Sequence, residues 1–255
     1  MNNVLKQLYF SPSGTTEKIS NLFCSNINWE TTEIDLLHDD NLQEVSFETN
    51  DCVVVTLPVF AGRIPSVCSE ILSIMEGNGA KAVAIVVYGN RDYDDALLEL
   101  VNLLKEQNFN VISAAAFVAH HSIFTNVAVG RPDAQDLHKI AEFAKHCKED
   151  YEKDLCGELK VNGNYPYKEV GPSKMKPEGD TKCIKCQACV NVCPVFAINA
   201  ADPRVTDMEK CISCTACITH CPVKARAFPQ ELYNAARGPF EEKNSQRKEP
   251  EFFYL

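Results

Sequence analysis

The sequence holds little glycine, methionine or tryptophan: 11, 4 and 1 of 255 residues. Few glycines in a chain that is 45% hydrophobic exclude a low-complexity or disordered polymer and point to globular packing. No apolar run reaches the roughly 20 residues that cross a bilayer, and no signal segment is recognisable, so a cytoplasmic protein without membrane contact is expected. Basic residues are in deficit, 25 Lys+Arg against 35 Asp+Glu. They form no stripe and no DNA-reading motif accompanies them, so no nucleic-acid partner is expected. Neither a Walker A lysine nor a GxGxxG run occurs, which argues against nucleoside triphosphates and dinucleotides.

Cysteine, by contrast, is abundant. Eight of the 13 cysteines lie in two copies of one string, KCIKCQACVNVCP at 182–194 and KCISCTACITHCP at 210–222, identical at eight of 13 positions. Each spells CxxCxxCxxxCP, the bacterial iron–sulfur run in which three thiolates hold one [4Fe–4S] cluster and the fourth reaches the other. Cys183, Cys186, Cys189 and Cys221 are therefore expected on one cluster, and Cys211, Cys214, Cys217 and Cys193 on the second. Two-residue gaps wrap three thiolates around one face of a cubane, small Ala188 and Ala216 allow close approach, and Pro194 and Pro222 turn the chain away without adding an N–H. A disulfide framework suits a short secreted chain, and zinc takes four ligands in CxxC pairs, so both fit this repeat poorly. Over residues 178–228 the sequence resembles the two-cluster ferredoxins. Oxygen-sensitive clusters of this kind imply an anaerobic or well-reduced cell.

Such a ferredoxin needs far fewer than 255 residues, so a second domain is expected before it. Apolar, β-rich runs at 4–10, 32–37, 52–57, 82–88 and 110–118 alternate with helical patterns at 15–26, 66–76, 94–107 and 132–151. Near-continuous apolar runs mark buried parallel strands. An α/β fold follows, a doubly wound five-stranded parallel sheet over residues 1–155, then a linker over 156–177, a small α+β ferredoxin domain over 178–230 and a tail over 231–255. The tail ends in Phe252-Phe253-Tyr254-Leu255, which predicts that it docks on a domain surface. The cysteines outside the repeat, Cys24, Cys52, Cys68 and Cys147, read as small buried hydrophobes, whereas Cys156 in the linker reads as the one open to oxidation. His120 and His121 read as exposed loop residues, and His220 as either a hydrogen-bond donor to a cluster or a solvated residue.

Ligands of such sheets bind at the carboxyl ends of the strands. The first loop there is Ser11-Pro12-Ser13-Gly14-Thr15-Thr16, opening a helix whose free N–H groups suit a phosphate. The third strand leads into Pro58-Val59-Phe60-Ala61-Gly62-Arg63, and the fourth into Tyr88-Gly89-Asn90-Arg91-Asp92-Tyr93. With these three loops the segment 1–155 resembles the flavodoxin family, which implies FMN. The resemblance implies that Ser11, Ser13, Gly14, Thr15 and Thr16 hold the phosphate and that Phe60 and Tyr93 flank the flavin. Pro58, Val59, Ala61, Gly62, Tyr88, Gly89, Asn90 and Arg91 complete the expected cofactor loops. Pro12, and Phe60 where a larger aromatic often stacks, depart from the family pattern.

The whole chain resembles flavodoxin–ferredoxin fusion proteins, and that resemblance implies a flavo-iron–sulfur carrier exchanging electrons between FMN, two [4Fe–4S] clusters and a redox partner protein. No catalytic residue is assigned. An FMN-dependent reductase with its own small substrate, drawing a proton from His120, His121 or Arg91, is a second reading, and a redox sensor or assembly factor a third. Residues 1–150 carry 10 basic against 21 acidic residues, and residues 181–230 carry 6 against 3. This contrast predicts that Lys182, Lys185, Lys210, Lys224 and Arg226 face Asp92, Asp94 and Asp95.

Overall fold

The computed structural model describes residues 4–39, 41–153, 155 and 157–255; Cys156 lies outside them. Five parallel strands form as their apolar runs demand: β1 (Val4–Tyr9), β2 (Glu30–Asp35), β3 (Cys52–Pro58), β4 (Lys81–Tyr88) and β5 (Asn110–Val118). Every residue of β3 is buried, because helices cover both faces of a central parallel strand. β2, at the sheet edge, buries only Ile34, and it begins at Glu30, just ahead of its apolar pattern.

Helices α1 (Thr15–Ile27) and α4 (Ala134–Tyr151) cover one face, packing Phe23, Ile27, Phe143 and Tyr151 against Leu5, Val54 and Ile85. α2 (Ser66–Leu72) and α3 (Ala96–Glu106) cover the other, where Leu72, Leu97 and Leu100 meet Leu8, Val55 and Val86. α4 starts on a reciprocal capping box between Asp133 and Asp136, the entry that the acidic pair after Pro132 favours. α2 stops at Leu72, short of the expected 76.

The strand order is β2-β1-β3-β4-β5, the flavodoxin-like doubly wound order, and a sixth strand follows β5. That strand is the tail itself. β8 (Glu251–Tyr254) pairs antiparallel with β5, Ser113 opposite Tyr254 and Ala116 opposite Glu251. The expected docking of the tail thus takes the form of a strand, and the sheet is six-stranded and mixed rather than five-stranded and parallel. Phe252 stacks on Phe143 with ring centroids 5.2 Å apart. Between the cluster repeat and β8, α7 (Gln230–Lys243) crosses back, and Asn90 fastens the next segment by donating to the Asn244 and Gln246 carbonyls at 2.8 Å and accepting from Lys248 N at 3.0 Å.

The described residues of the expected linker wrap the sheet domain. Leu159 is buried in the α2/α3 core, Arg63 stacks on Tyr167 at 4.8 Å, and Asp95 accepts from the backbone N–H groups of Asn164 and Lys168 at 2.7 and 2.6 Å. Lys176 then donates to the Cys211 carbonyl at 2.7 Å, tying the end of this segment to the second cysteine run.

The remaining domain is small: a two-stranded ribbon of β6 (Glu178–Gly179) and β7 (Arg226–Ala227), with one-turn helices α5 (Ala188–Asn191) and α6 (Ala216–Thr219). Its two halves repeat in conformation as well as in sequence. Lys185, Gln187 and Phe196 take positive φ, and so do Ser213, Thr215 and Lys224 at the equivalent positions of the second copy. Non-glycine residues in the left-handed region cost on the order of 1 kcal/mol or more each, strain that the fold accepts to turn these loops around their cysteines.

Candidate functional site

A cleft of about 840 Å³ of atom-free space, part of it open to solvent, lies at the carboxyl ends of β1, β3, β4 and β5. Ser13, Thr15 and Thr16 line it from the first loop; Pro58, Val59, Phe60 and Ala61 from the second; Tyr88 and Gly89 from the third. The fourth wall is Ala119, His120, His121, Ser122 and Ile123 after β5, a loop from which only the two histidines stood out, as proton donors in the reductase reading. Crossovers in a parallel sheet bring every such loop to one edge, so a loop without a motif still joins the site.

The first loop fits a phosphate. Gly14 sits at φ 80° with open space where a Cβ would point, and no N-cap side chain closes the start of α1. Ser11 is buried with its Oγ accepting from Glu17 N at 2.9 Å, which leaves the Thr15 and Thr16 amides without a protein acceptor among the described residues. Ser13 and Thr15 hydroxyls lie 3.2 Å apart beside them. Free N–H groups, hydroxyls and the positive end of a long helix form an anion cradle.

Several expected cofactor residues do other work. Tyr93 does not reach the cleft: it is buried, meets Tyr88 edge-on at 5.5 Å and donates its hydroxyl to Glu251 at 2.6 Å, so docking of β8 removes it from the flavin role expected of it. Asn90 holds the tail, and Arg91 pairs with Asp94. Gly62, at φ 97°, packs against Asp94 so closely that a Cβ would stand 2.0 Å from its carboxylate. These four, with Ser11 and Gly14, are not among the residues lining the cleft, although Ser11 and Gly14 shape its phosphate loop.

His121 is not the exposed residue expected. Its Nδ1 accepts from the backbone N–H groups of Ile123 and Phe124, both at 3.1 Å, and its ring meets Phe240 of α7 edge-on at 5.0 Å. Burial, reinforced by charge at His120 and Arg91, pushes its pKa down to about 4, so at neutral pH the ring is uncharged with its proton on Nε2. His120, also in the wall, donates to the Thr125 carbonyl at 2.7 Å.

The cleft has one more side. Ile212, Ser213 and Cys214, from the second cysteine run, complete its lining together with Ser173. Ser213 is held there by donating to the Met175 carbonyl at 2.7 Å, and His38 meets the exposed His220 at 6.2 Å across the same domain contact. His220 turns its Nδ1 to the Ala216 carbonyl at 3.0 Å.

Two further cavities open inside the small domain, each collecting four cysteines. One is lined by Cys183, Cys186, Cys189 and Cys221, the other by Cys193, Cys211, Cys214 and Cys217, so the fourth cysteine of each run crosses to the other run's cavity. Among the described residues no three His, Cys, Asp or Glu side chains converge tightly enough for a single ion. Four thiols spread around a space suit the corners of a cubane. Backbone N–H groups of Ala197 and Ala225, equivalent in the two copies, donate to the sulfurs of Cys193 and Cys221 at 3.2 and 3.1 Å, and Ser213 N donates to Cys211 at 3.4 Å. Burial pushes the Cys189 and Cys217 thiols up, and the charge of Arg226 pulls both back.

The expected facing of basic and acidic groups is overturned. Asp92 pairs with Lys248 at 2.8 Å, Asp94 with Arg91 and Lys168, and Asp95 is buried against linker amides. Lys182 and Lys210 pair locally with Asp180 and Asp207 at 3.7 and 3.9 Å. Linker and tail contribute the cations that the composition of the two domains could not reveal.

Residues 182–225 match the family model described as the 4Fe-4S dicluster domain. The chain carries a 4Fe-4S ferredoxin domain behind a flavodoxin-like sheet. A comparison with curated protein sequences finds no match. Among solved structures, the sheet domain is similar to a flavodoxin from Streptococcus pneumonia TIGR4, at 13% identity and TM-score 0.42 over 56% of this chain and 95% of that one. A flavodoxin from the domain Archaea gives 15% and 0.43 over 59% and 99%. The rubredoxin oxygen:oxidoreductase of Desulfovibrio gigas gives 12% and 0.45 over 59% of this chain and 36% of that one.

Proposed function

We propose that this chain is an electron-transfer protein holding FMN in the cleft and a [4Fe–4S] cluster in each cysteine-lined cavity, and that it serves a partner protein in a reducing, anaerobic cytoplasm. When bound, the flavin exchanges one or two electrons and each cluster one at a time. The observation that carries the reading is the shared wall: Cys214 lines both the flavin cleft and the second cysteine cavity. That contact orders the sites as cleft, then the Cys193/Cys211/Cys214/Cys217 cavity, then the Cys183/Cys186/Cys189/Cys221 cavity. At the far end Cys186 is exposed and Ile184 is 62% exposed, which opens the last site to a partner. Ile212, Ser213 and Cys214 stand in the wall of the cleft itself, which keeps the distance between cleft and cavity short.

The reading is tested by cofactor load. Protein prepared anaerobically is expected to hold about eight irons and eight acid-labile sulfides per chain and to bind FMN in preference to FAD, because the phosphate loop offers no second Gly-rich turn for a pyrophosphate. Four irons after full reconstitution, or a folded chain that stays colourless in excess FMN, overturns it.

A further inference from the structure

Among the described residues one alone lines both cysteine cavities, and it is Arg226. Arg226 is 3% exposed, and its guanidinium donates to the Pro203 carbonyl, to the Pro177 carbonyl at 2.7 Å and to the Thr206 hydroxyl. Every one of these acceptors is neutral, and among the described residues no carboxylate pairs with it. Its Nε–H is buried with no acceptor at all; the other such side-chain atom among the described residues, Thr215 Oγ1, borders the second of the same cavities. A buried cation without a counter-charge is strongly disfavoured, and an orphaned donor adds to the cost.

The loop itself does not need an arginine there. Position 198, the equivalent of 226 one repeat earlier, is Ile198, also buried and also beside a cysteine cavity. Two half-repeats of near-identical conformation thus differ by an apolar side chain in one and an unpaired cation in the other. The negative charge that would satisfy it is the charge that thiolate-bound clusters bring to both cavities.

We propose that Arg226 is a positioning residue shared by the two clusters: its fixed positive charge, with the free Nε–H, stands in their common wall and favours the added electron on each. This rests on the two-cluster reading above. Reduction makes a cluster more negative, so a cation held beside it raises the reduction potential, and one placed between two raises both.

The test is an anaerobic redox titration of the full-length holoprotein, with dithionite as electron donor and the reduced clusters read by EPR, beside iron analysis. Arg226→Gln removes the charge and keeps a donor; Arg226→Lys keeps the charge and removes the fork. Poised at the wild-type midpoints, the Gln variant is expected to show at least a tenfold lower ratio of reduced to oxidised form at both clusters, about a 59 mV downward shift for a one-electron couple. The Lys variant is expected within about threefold of wild type. Unchanged ratios in the Gln variant, a shift confined to one cluster, or equal shifts in both variants would each overturn the proposal. Should the Gln variant fail to load iron, a Lys variant that loads and titrates like wild type supports it, and a folded Lys variant that also fails to load overturns it. Wild-type protein with fewer than eight irons would instead undo the underlying reading.

Discussion

At the scale of single residues, the site is set by which polar atoms already have partners. His121 shows the logic: two backbone N–H groups converge on its Nδ1, so protonating that nitrogen breaks both bonds. Gly89 makes room for it, since a Cβ there would stand 2.5 Å from the imidazole. The folded pKa of about 4 lies below the ordinary 6.5, so between these values the unfolded chain binds the extra proton. Stability is therefore complete above pH 6.5 and is lost as pH falls toward 4, by as much as about 3 kcal/mol. His121→Asn, whose side-chain oxygen can replace Nδ1 as acceptor, is expected to flatten that slope. Guanidinium unfolding of the cofactor-free chain between about pH 5 and 7.5 measures it, and an unchanged slope would remove His121 as its source.

At the scale of elements, the decisive piece is β8. A strand that closes the β5 edge and stacks Phe252 on Phe143 is part of the sheet domain although the whole cysteine repeat separates the two in sequence. It also anchors Tyr93, through Glu251, and leaves Arg131 donating to the Lys248 carbonyl at 2.8 Å. Cutting the chain after residue 155 removes this strand together with the wrapping segment that carries Leu159. Half-buried aromatics and the ladder together are worth about 3 kcal/mol or more. The 1–155 fragment is thus expected to unfold at lower denaturant than the same domain in the full chain, and chemical denaturation of both, followed by far-UV circular dichroism, compares them. A coincident midpoint would mean that β8 contributes no net stability.

For the whole molecule, the contact between the domains is made by packing, with Ile212, Ser213 and Cys214 closing the cleft and His220 meeting His38. The acids beside the third loop are already occupied by Arg91, Lys168, Lys248 and linker amides. Surface charges are screened within about 8 Å at physiological salt, but side chains packed into the wall of the cleft are not. Electron exchange between flavin and clusters within one chain is accordingly expected to keep its rate as salt rises, measured by stopped-flow reduction. A steep fall with salt would return the interface to surface ion pairing.

The sequence by itself determined what is local or periodic. Buried parallel strands are read from continuous apolar runs, so the strands and helices of the sheet domain were legible, and the cysteine repeat marked the eight cysteines that line the two cavities. Tertiary structure alone decided what depends on contacts distant along the chain: the sixth strand, the removal of Tyr93 and Asn90 from the cleft, the burial of His121, and the placement of Cys214 in two cavities at once. The short run from Glu251 to Tyr254 has no period long enough to announce a strand; it becomes one because the edge of β5 offers unpaired backbone groups. Arg226 belongs to the same class, since a lone arginine reads as a surface charge until the fold closes around it.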